Sequence, residues 1–220
     1  MKKIYFLLFL SCITVQHAFS QQIRFGVFAN PGLSWFSSDV SRIETSGDRL
    51  GINFGLMADN FFAPQYAFAT GLSIHTTGGA VNYHSGKTLS TSDGDIVLPK
   101  GTDVTFMLQY LQVPLGLKFR TVEIGNLTYF ADLGFDPMIN IKARASFNAS
   151  GGRYNDTGVS EEVNTFYLAY HLSAGVEYHL VGNTMLMGGL SFMNGFTNVI
   201  PDGQAKTVLN CFELRLGVFF

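Results

Sequence analysis

Apolar and polar residues alternate along most of this chain with a period of two residues. The pattern is clearest from residue 208 to residue 220, where one side of an extended strand is apolar and the other carries Glu213 and Arg215. The apolar side comprises Val208, Phe212, Leu214, Leu216, Val218 and Phe220. Successive side chains of a strand point to opposite faces, so a period of two indicates a strand rather than a helix. The terminal stretch is therefore predicted to be a strand with one fully apolar face that ends on an aromatic residue.

The same alternation predicts eight strands in residues 21–220. They span residues 22–36, 50–62, 66–77, 104–120, 127–145, 163–180, 184–196 and 207–220. Long and short connections alternate strictly between them, as in outer-membrane barrels, which have short periplasmic turns, longer extracellular loops and an even number of strands. The pattern therefore predicts an all-β fold, an eight-stranded antiparallel up-and-down transmembrane β-barrel.

Local residue types predict where the strands are interrupted and connected. Pro137 is predicted to mark a bulge or an interruption, because proline cannot donate to the hydrogen-bond ladder. Residues 37–49, 78–103 and 147–162 are polar and are predicted to be extracellular loops. Loops on a rigid scaffold often carry binding sites, so contacts with ligands or partners are expected in the second and third of them.

The second face of the strands distinguishes a membrane barrel from a soluble one. A soluble barrel would alternate in the same way, with its polar face in water. A water-facing surface usually carries many Lys and Glu residues, whereas this face is mostly Gly, Ala, Ser, Thr and Asn. Small side chains suit the interior of a narrow barrel. The favoured interpretation is a barrel whose apolar face meets the lipid of the outer membrane of a Gram-negative bacterium, and a soluble carrier-like barrel is the alternative.

Aromatic residues cluster near the predicted short turns. A girdle of aromatic residues at the inner membrane interface is typical of outer-membrane barrels. The predicted girdle comprises Phe61, Phe62, Tyr66, Phe119, Tyr129, Phe130, Tyr178, Phe219 and Phe220.

Composition and the N-terminus agree with an envelope protein. Only 14% of the 220 residues are charged, against roughly 25% in soluble domains, and a net charge of -2 gives no electrostatic reason to expect nucleic acid as a partner. A basic start, an apolar run and small residues before Gln21 predict a cleaved signal peptide at residues 1–20, which leaves residues 21–220 as the barrel domain. The alternative is a lipoprotein signal that uses Cys12. After cleavage Cys211 is the only cysteine, which excludes a disulfide-stapled domain.

Charged residues on the second face predict a polar network inside the barrel. This predicted network comprises Lys118, Asp132, His171, Glu177, Glu213 and Arg215. Charges inside a narrow barrel must pair, because desolvating an isolated charge is costly. We therefore expect Glu213 or Glu177 to pair with Arg215 or Lys118, in a lumen that side chains fill and that leaves no large pore.

One short pattern raises the alternative of catalysis. His171 and Ser173 lie on the same face of one predicted strand and resemble the His-x-Ser pattern of lipid A deacylase barrels. A serine nucleophile needs a base within hydrogen-bond reach and an orienting carboxylate. Glu177 lies a further four residues along the strand, about 13 Å beyond Ser173, and cannot orient His171. No catalytic residue is therefore expected, with a lipid-modifying enzyme as the alternative. The histidines are too scattered to predict a metal site, and no cofactor is expected.

The segment at residues 110–119, which reads Y-L-Q-V-P-L-G-L-K-F, resembles the Y-L-x-[IV]-P-L-x-x-K-[FY] segment of the PorT-family outer-membrane barrels of Bacteroidetes. Residues 25–33 and 214–220 are similar to that family as well. The resemblance implies the barrel fold and the outer-membrane location. It adds a component of type IX secretion as an alternative to a structural or interaction role.

The resemblance also implies partners. Phe220 is expected to be the end signal that the barrel assembly machinery reads, as in similar outer-membrane proteins. Outer-membrane lipid is an expected partner, and other envelope or secretion proteins are further candidates.

Overall fold

Most of the chain is extended strand. The computed structural model describes residues 22–39, 43–201 and 206–220, and the predicted signal peptide lies outside them. The described strands are β1 (Gln22–Ser38), β2 (Ile43–Ala63), β3 (Tyr66–Tyr83), β4 (Lys87–Thr91), β5 (Gly94–Leu98), β6 (Thr102–Gln112), β7 (Leu115–Arg120), β8 (Leu127–Ala149), β9 (Gly152–Gly158), β10 (Phe166–His179), β11 (Met185–Gly195) and β12 (Thr207–Phe219). One turn of 3-10 helix spans Ser160–Glu162. Within these residues no helix is long and apolar enough to cross a membrane.

The wall strands form a closed antiparallel ring. Each pairs with its neighbours in sequence, and β12 returns to pair with β1. β6 and β7 together make one wall strand, because both pair with β3 on one side and β8 on the other. The described part of the chain therefore has eight wall strands, which confirms the predicted up-and-down barrel. β4 and β5 pair with each other as a separate hairpin, and β9 pairs with the end of β8.

The interruption predicted at Pro137 lies on the neighbouring strand instead. β8 continues through Pro137, which pairs with Leu168. The break lies across from it, at Val113 and Pro114 between β6 and β7. Pro114 has no N–H to donate, so the ladder is interrupted on its own strand. The Val113 amide still donates to the Pro137 carbonyl at 3.1 Å and keeps the two strands together.

The outer face of the ring carries an apolar belt. Phe25 and Phe135 are both 55% exposed, and large apolar side chains are exposed on every wall strand described. On β8 the belt ends at Ile141. This residue has no partner on β6, so the register of the two strands shifts here. The inward-facing and outward-facing positions of β8 exchange at the same point. Beyond it the outward residues are the polar Lys142 and Arg144. The belt on β8 thus covers residues 129–141, enough for a tilted transmembrane strand of about 9–11 residues.

The strands continue beyond the belt, so three predicted loops are wrong over much of their length. β1 and β2 extend into residues 37–49, and β3 reaches Tyr83. The rest of residues 78–103 holds the β4–β5 hairpin, and residues 147–162 hold the end of β8 and all of β9. β10 in turn begins only at Phe166. Where the outer face of a strand meets water instead of lipid, the apolar alternation disappears while the backbone pairing continues.

Apolar side chains fill the extracellular part of the lumen. Leu89 and Leu98 of the β4–β5 hairpin are 0% and 2% exposed. They belong to one buried cluster with the inward-facing Phe36, Phe106 and Leu108 of the wall. The hairpin therefore packs onto the wall side chains and closes this end of the lumen. We call this arrangement the apolar plug.

Candidate functional site in the barrel lumen

Five charged residues meet in the periplasmic part of the lumen. Lys118 Nζ lies 2.6 Å from a carboxylate oxygen of Asp59 and 2.6 Å from one of Glu177. The Arg24 guanidinium lies 3.8 Å from Asp59 and 3.6 Å from Glu177, and Arg120 lies 2.8 Å from Glu177. We call these residues the lower ion cluster. They come from β1, β2, β7 and β10, so the cluster ties together wall strands that are not neighbours.

Three aromatic residues of the predicted girdle point into the lower ion cluster. The Lys118 ammonium lies 4.9 Å from the Phe130 ring centre and 4.6 Å from that of Phe219, and the Arg24 guanidinium lies 4.4 Å from that of Phe61. Buried cations are attracted to aromatic faces, which accounts for this placement. The girdle prediction is therefore wrong for these three residues. The other predicted members, Phe62, Tyr66, Phe119, Tyr129, Tyr178 and Phe220, are exposed on the outer face.

A second group lies at mid-height, around His171. Its Nδ1 lies 2.8 Å from Asp136, and its Nε2 lies 3.5 Å from Asp132. Arg215 lies 2.8 Å from the other oxygen of Asp132, and Gln112 donates to Asp136 at 2.8 Å. Both ring nitrogens of His171 are thus directed at carboxylates, and the group joins β6, β8, β10 and β12.

The His171 and Ser173 pattern does not form a nucleophile and base pair in this arrangement. The Ser173 hydroxyl donates to the Ser191 hydroxyl at 2.8 Å. His171 is directed at Asp132 and Asp136 instead. Glu177 belongs to the lower ion cluster and orients neither residue.

A third group consists of His75, Cys211 and Glu213. His75 Nε2 lies 3.3 Å from Glu213 Oε1, and Cys211 Sγ lies 4.0 Å from the same oxygen. All three residues are buried. Sequence reasoning missed this group because His75 is far from the other two along the chain. The alternation on β12 does place Cys211 and Glu213 on one face.

The structure divides the predicted network among these groups. Lys118 meets Glu177 in the lower ion cluster, while Asp132, His171 and Arg215 meet at mid-height. Glu213 faces His75, with neither Arg215 nor Lys118 as its partner. The prediction omitted further members of the two clusters that lie on inward positions of the same alternating strands. They are Arg24, Asp59, Arg120 and Asp136.

A small cavity lies between the groups. Its volume is about 60 Å³, and its lining includes Asp136, His171, Glu213 and Arg215. A water molecule needs roughly 10–15 Å³ of such volume, so the cavity holds only a few waters. The open space at mid-height of the lumen is thus small.

A closed barrel with a lipid-facing apolar belt and paired charges in a narrow lumen defines an outer-membrane β-barrel protein. Residues 19–201 match the family described as outer membrane protein beta-barrel domain. The chain belongs to this family, and the protein is located in the outer membrane.

Solved structures of other outer-membrane barrels are similar to this chain. Neisserial surface protein A is 16% identical with a TM-score of 0.49, over 89% of this chain and 95% of that one. Ail of Yersinia pestis is 14% identical with a TM-score of 0.42, over 90% and 99%. The outer membrane protease OmpT of Escherichia coli is 10% identical with a TM-score of 0.46, over 93% and 99%. No curated protein matches the sequence.

Proposed function

We propose that this protein is a closed outer-membrane barrel with a structural or interaction role, and that it neither conducts solutes nor catalyses a reaction. The observation that carries the proposal is the double closure of the lumen by the lower ion cluster and the apolar plug. An eight-stranded barrel is just wide enough for side chains to fill, whereas porins with aqueous channels have 16–18 strands. The strand number and the packing therefore favour the same closed state.

The arrangement of the lumen also supports the absence of catalysis. A serine nucleophile would need His171 as its base, but both nitrogens of His171 are directed at carboxylates. The polar side chains at mid-height mainly contact one another, and the cavity beside them is too small for a lipid. These contacts support the proposal that the described lumen holds no site for a lipid-modifying activity.

The extracellular hairpins are the surface that an interaction role would use. The β1–β2, β4–β5 and β8–β9 hairpins stay hydrogen-bonded beyond the apolar belt. Lys87 of β4 lies 2.6 Å from Glu162 and fixes the β4–β5 hairpin to the 3-10 turn. Preformed loops on a rigid scaffold lose little entropy on binding. Other envelope or secretion proteins are the proposed partners at this end, and outer-membrane lipid surrounds the belt.

Single-channel recording in planar bilayers tests the closed state. We expect the purified protein to give no stable conductance, while a porin reconstituted in parallel conducts. Heat-modifiable migration on gels and flotation with liposomes would show that the protein in the assay is folded and inserted. Stable porin-sized currents from the folded protein would contradict the proposal.

Phe220 is proposed as the signal for the barrel assembly machinery. Phe220 is 63% exposed on the outer face, and its amide donates to the Phe25 carbonyl at 2.9 Å. We expect Phe220→Ala to lower the amount of heat-modifiable barrel in cells several-fold, because the machinery loses its recognition residue. Refolding of the purified variant in detergent should stay close to that of the parent. A defect of equal size in both assays would assign Phe220 to stability instead.

A role in type IX secretion is the second candidate, and it rests on the resemblance of residues 110–119 to the PorT family. Tyr110, Gln112 and Lys118 in this segment are buried in the lumen, where they also serve the packing of the barrel. Deleting the gene and profiling the secreted proteins tests the candidate. Loss of the exported proteins would support it, and unchanged export would remove it.

A further inference from the structure

The group formed by His75, Cys211 and Glu213 has the composition of a metal site. It brings together an imidazole, a thiol and a carboxylate whose ligand atoms all lie within 4.8 Å of one another. The three residues are 1%, 2% and 7% exposed. Cys211 and Glu213 come from β12, and His75 comes from β3, which is separated from β12 by β1 and β2. An ion bound here would therefore connect two wall strands that do not pair.

The backbone makes room for this group at one glycine. Gly32 pairs with Glu213 between β1 and β12. A Cβ at position 32 would lie 2.9 Å from Glu213 Cγ and 3.2 Å from Cys211 Sγ. Both distances are shorter than ordinary contacts, so a larger residue would displace the two side chains. Glycine at this position allows both to reach into the lumen beside His75.

His75 has an unused hydrogen-bonding atom, and Glu213 has no direct cationic partner among the described residues. His75 Nδ1 is buried and has no hydrogen-bond partner. Glu213 contacts His75 Nε2 at 3.3 Å and Asn30 Nδ2 at 3.5 Å, and among the described residues it forms no direct ion pair with Lys or Arg. The four Lys and Arg residues of the described ion pairs in the lumen contact Asp59, Asp132 and Glu177 instead. A buried carboxylate without a cation is costly, and a bound cation would supply the missing charge.

We propose that His75, Cys211 and Glu213 bind a transition-metal ion of the zinc class. A nitrogen, a sulfur and an oxygen ligand suit a borderline-soft ion such as Zn²⁺, whereas Mg²⁺ and Ca²⁺ prefer oxygen ligands alone. Zinc–ligand distances of about 2.0–2.3 Å place tetrahedral ligands roughly 3.4–3.6 Å apart. The imidazole and the carboxylate are already at 3.3 Å. The thiol would move by roughly 1 Å to complete the set.

The fourth coordination position would face the cavity at mid-height. Glu213 lines this cavity together with Asn30 and Asn53. A zinc site with three protein ligands keeps one position for water or another small ligand, and the cavity has room for it. The ion would act as a bridge across the lumen that stabilises the folded barrel by the free energy of its binding.

Cobalt substitution tests the site on the full chain extracted from membranes. A Co²⁺–thiolate bond gives a charge-transfer band in the near ultraviolet, and Cys211 is the only cysteine outside the predicted signal peptide. We expect one Co²⁺ or Zn²⁺ per folded chain, the thiolate band with cobalt, and a rise in the unfolding midpoint with Zn²⁺. No band and no stoichiometric metal in the folded parent protein would overturn the proposal.

Variants separate this site from adventitious binding. Cys211→Ser is nearly isosteric and should abolish the thiolate band. It should also weaken Zn²⁺ binding by more than the roughly tenfold that losing an outer-shell partner costs. Glu213→Gln and His75→Gln should weaken binding as well, with folding checked by heat-modifiable migration. His84→Gln is the control, because His84 pairs with Glu44 on the exposed surface and should change nothing. Equal zinc binding by the folded Cys211→Ser variant and the parent would show adventitious binding only.

Discussion

Most of the charged side chains described in the lumen lie close to a group of opposite charge. The described ion-pair groups of the lumen contain four cations and five carboxylates, which are Arg24, Lys118, Arg120 and Arg215 and Asp59, Asp132, Asp136, Glu177 and Glu213. His171 lies between two of these carboxylates and supplies a fifth positive charge when it is protonated. The numbers of positive and negative charges must nearly balance, because an unpaired charge in a narrow, poorly solvated lumen is costly.

The ammonium of Lys118 is the centre of the lower ion cluster, so its removal should be strongly destabilising. Lys118→Met leaves Asp59 and Glu177 with only the arginines of the cluster. Breaking a buried pair costs about 3–5 kcal/mol, and we expect the lower end because those arginines remain. Urea unfolding of the refolded barrel in lipid would measure this loss in the free energy of unfolding. Lys100→Met, on an exposed turn, is the control and should change the free energy of unfolding little. Equal stability of the two variants would show that the cluster contributes nothing.

The hydroxyl of Tyr167 bonds the backbone of Leu209 on β12, next to the point where the pairing of β12 with β11 ends. It donates to the Leu209 carbonyl at 3.0 Å and accepts from the Leu209 amide at 2.9 Å. The side chain fits only because residue 195 is glycine, since a Cβ there would lie 1.5 Å from the hydroxyl oxygen.

Gly195→Ala should therefore displace Tyr167 and expose the Leu209 backbone. We expect a loss of about 2–3 kcal/mol, from overpacking together with the lost hydrogen bonds. The matched control is Gly188→Ala on the same strand, where a Cβ meets no atom within 4 Å. Thermal unfolding of both variants in detergent measures the difference. If both unfold at the same temperature, the fit of Tyr167 has no energetic importance.

At the scale of strands and hairpins, the sequence pattern predicted which segments face lipid more accurately than it predicted how long each strand is. The predicted second strand begins at residue 50, where the outer face of β2 becomes apolar, although β2 itself begins at Ile43. On β8 the outward-facing positions change from odd to even residue numbers after the bulge at Ile141. A single alternating pattern therefore could not describe the whole strand. Periodicity therefore locates the membrane-embedded part of a strand. It does not detect strands that continue into water.

The β4–β5 hairpin was not predicted because most of its outer residues are polar, which weakens the alternation in its sequence. Its two buried leucines attach it to the apolar plug, and Leu89→Asp should release it by placing a charge in an apolar cluster. We expect limited proteolysis to cut the variant between residues 87 and 98 while the barrel survives. Val97→Asp is the control, because Val97 lies on the same hairpin and is 68% exposed. Resistance of the Leu89→Asp hairpin would show that the plug does not depend on it.

At the scale of the whole molecule, the alternating pattern and the connection lengths were sufficient to predict the closed ring. Strand number and neighbour pairing follow from local signals that a single sequence contains. The candidate sites could be predicted only in part, because they depend on which inward residues lie opposite one another. His75 and Cys211 come from β3 and β12, and nothing local to either strand reveals that they meet. The partners of Glu177 and Arg215 were ambiguous for the same reason.

The central claim is that the apolar face of the strands meets lipid while the charged face lies in a closed lumen. Single-tryptophan quenching by brominated lipids tests it most directly, in a Trp35→Phe background that removes the only native tryptophan. Phe135 is 55% exposed on the outer face of β8, and Phe130 on the same strand is 4% exposed in the lumen. We predict strong quenching of Phe135→Trp and weak quenching of Phe130→Trp in the folded protein. Quenching of Phe130→Trp that equals or exceeds that of Phe135→Trp would contradict the orientation of the barrel wall.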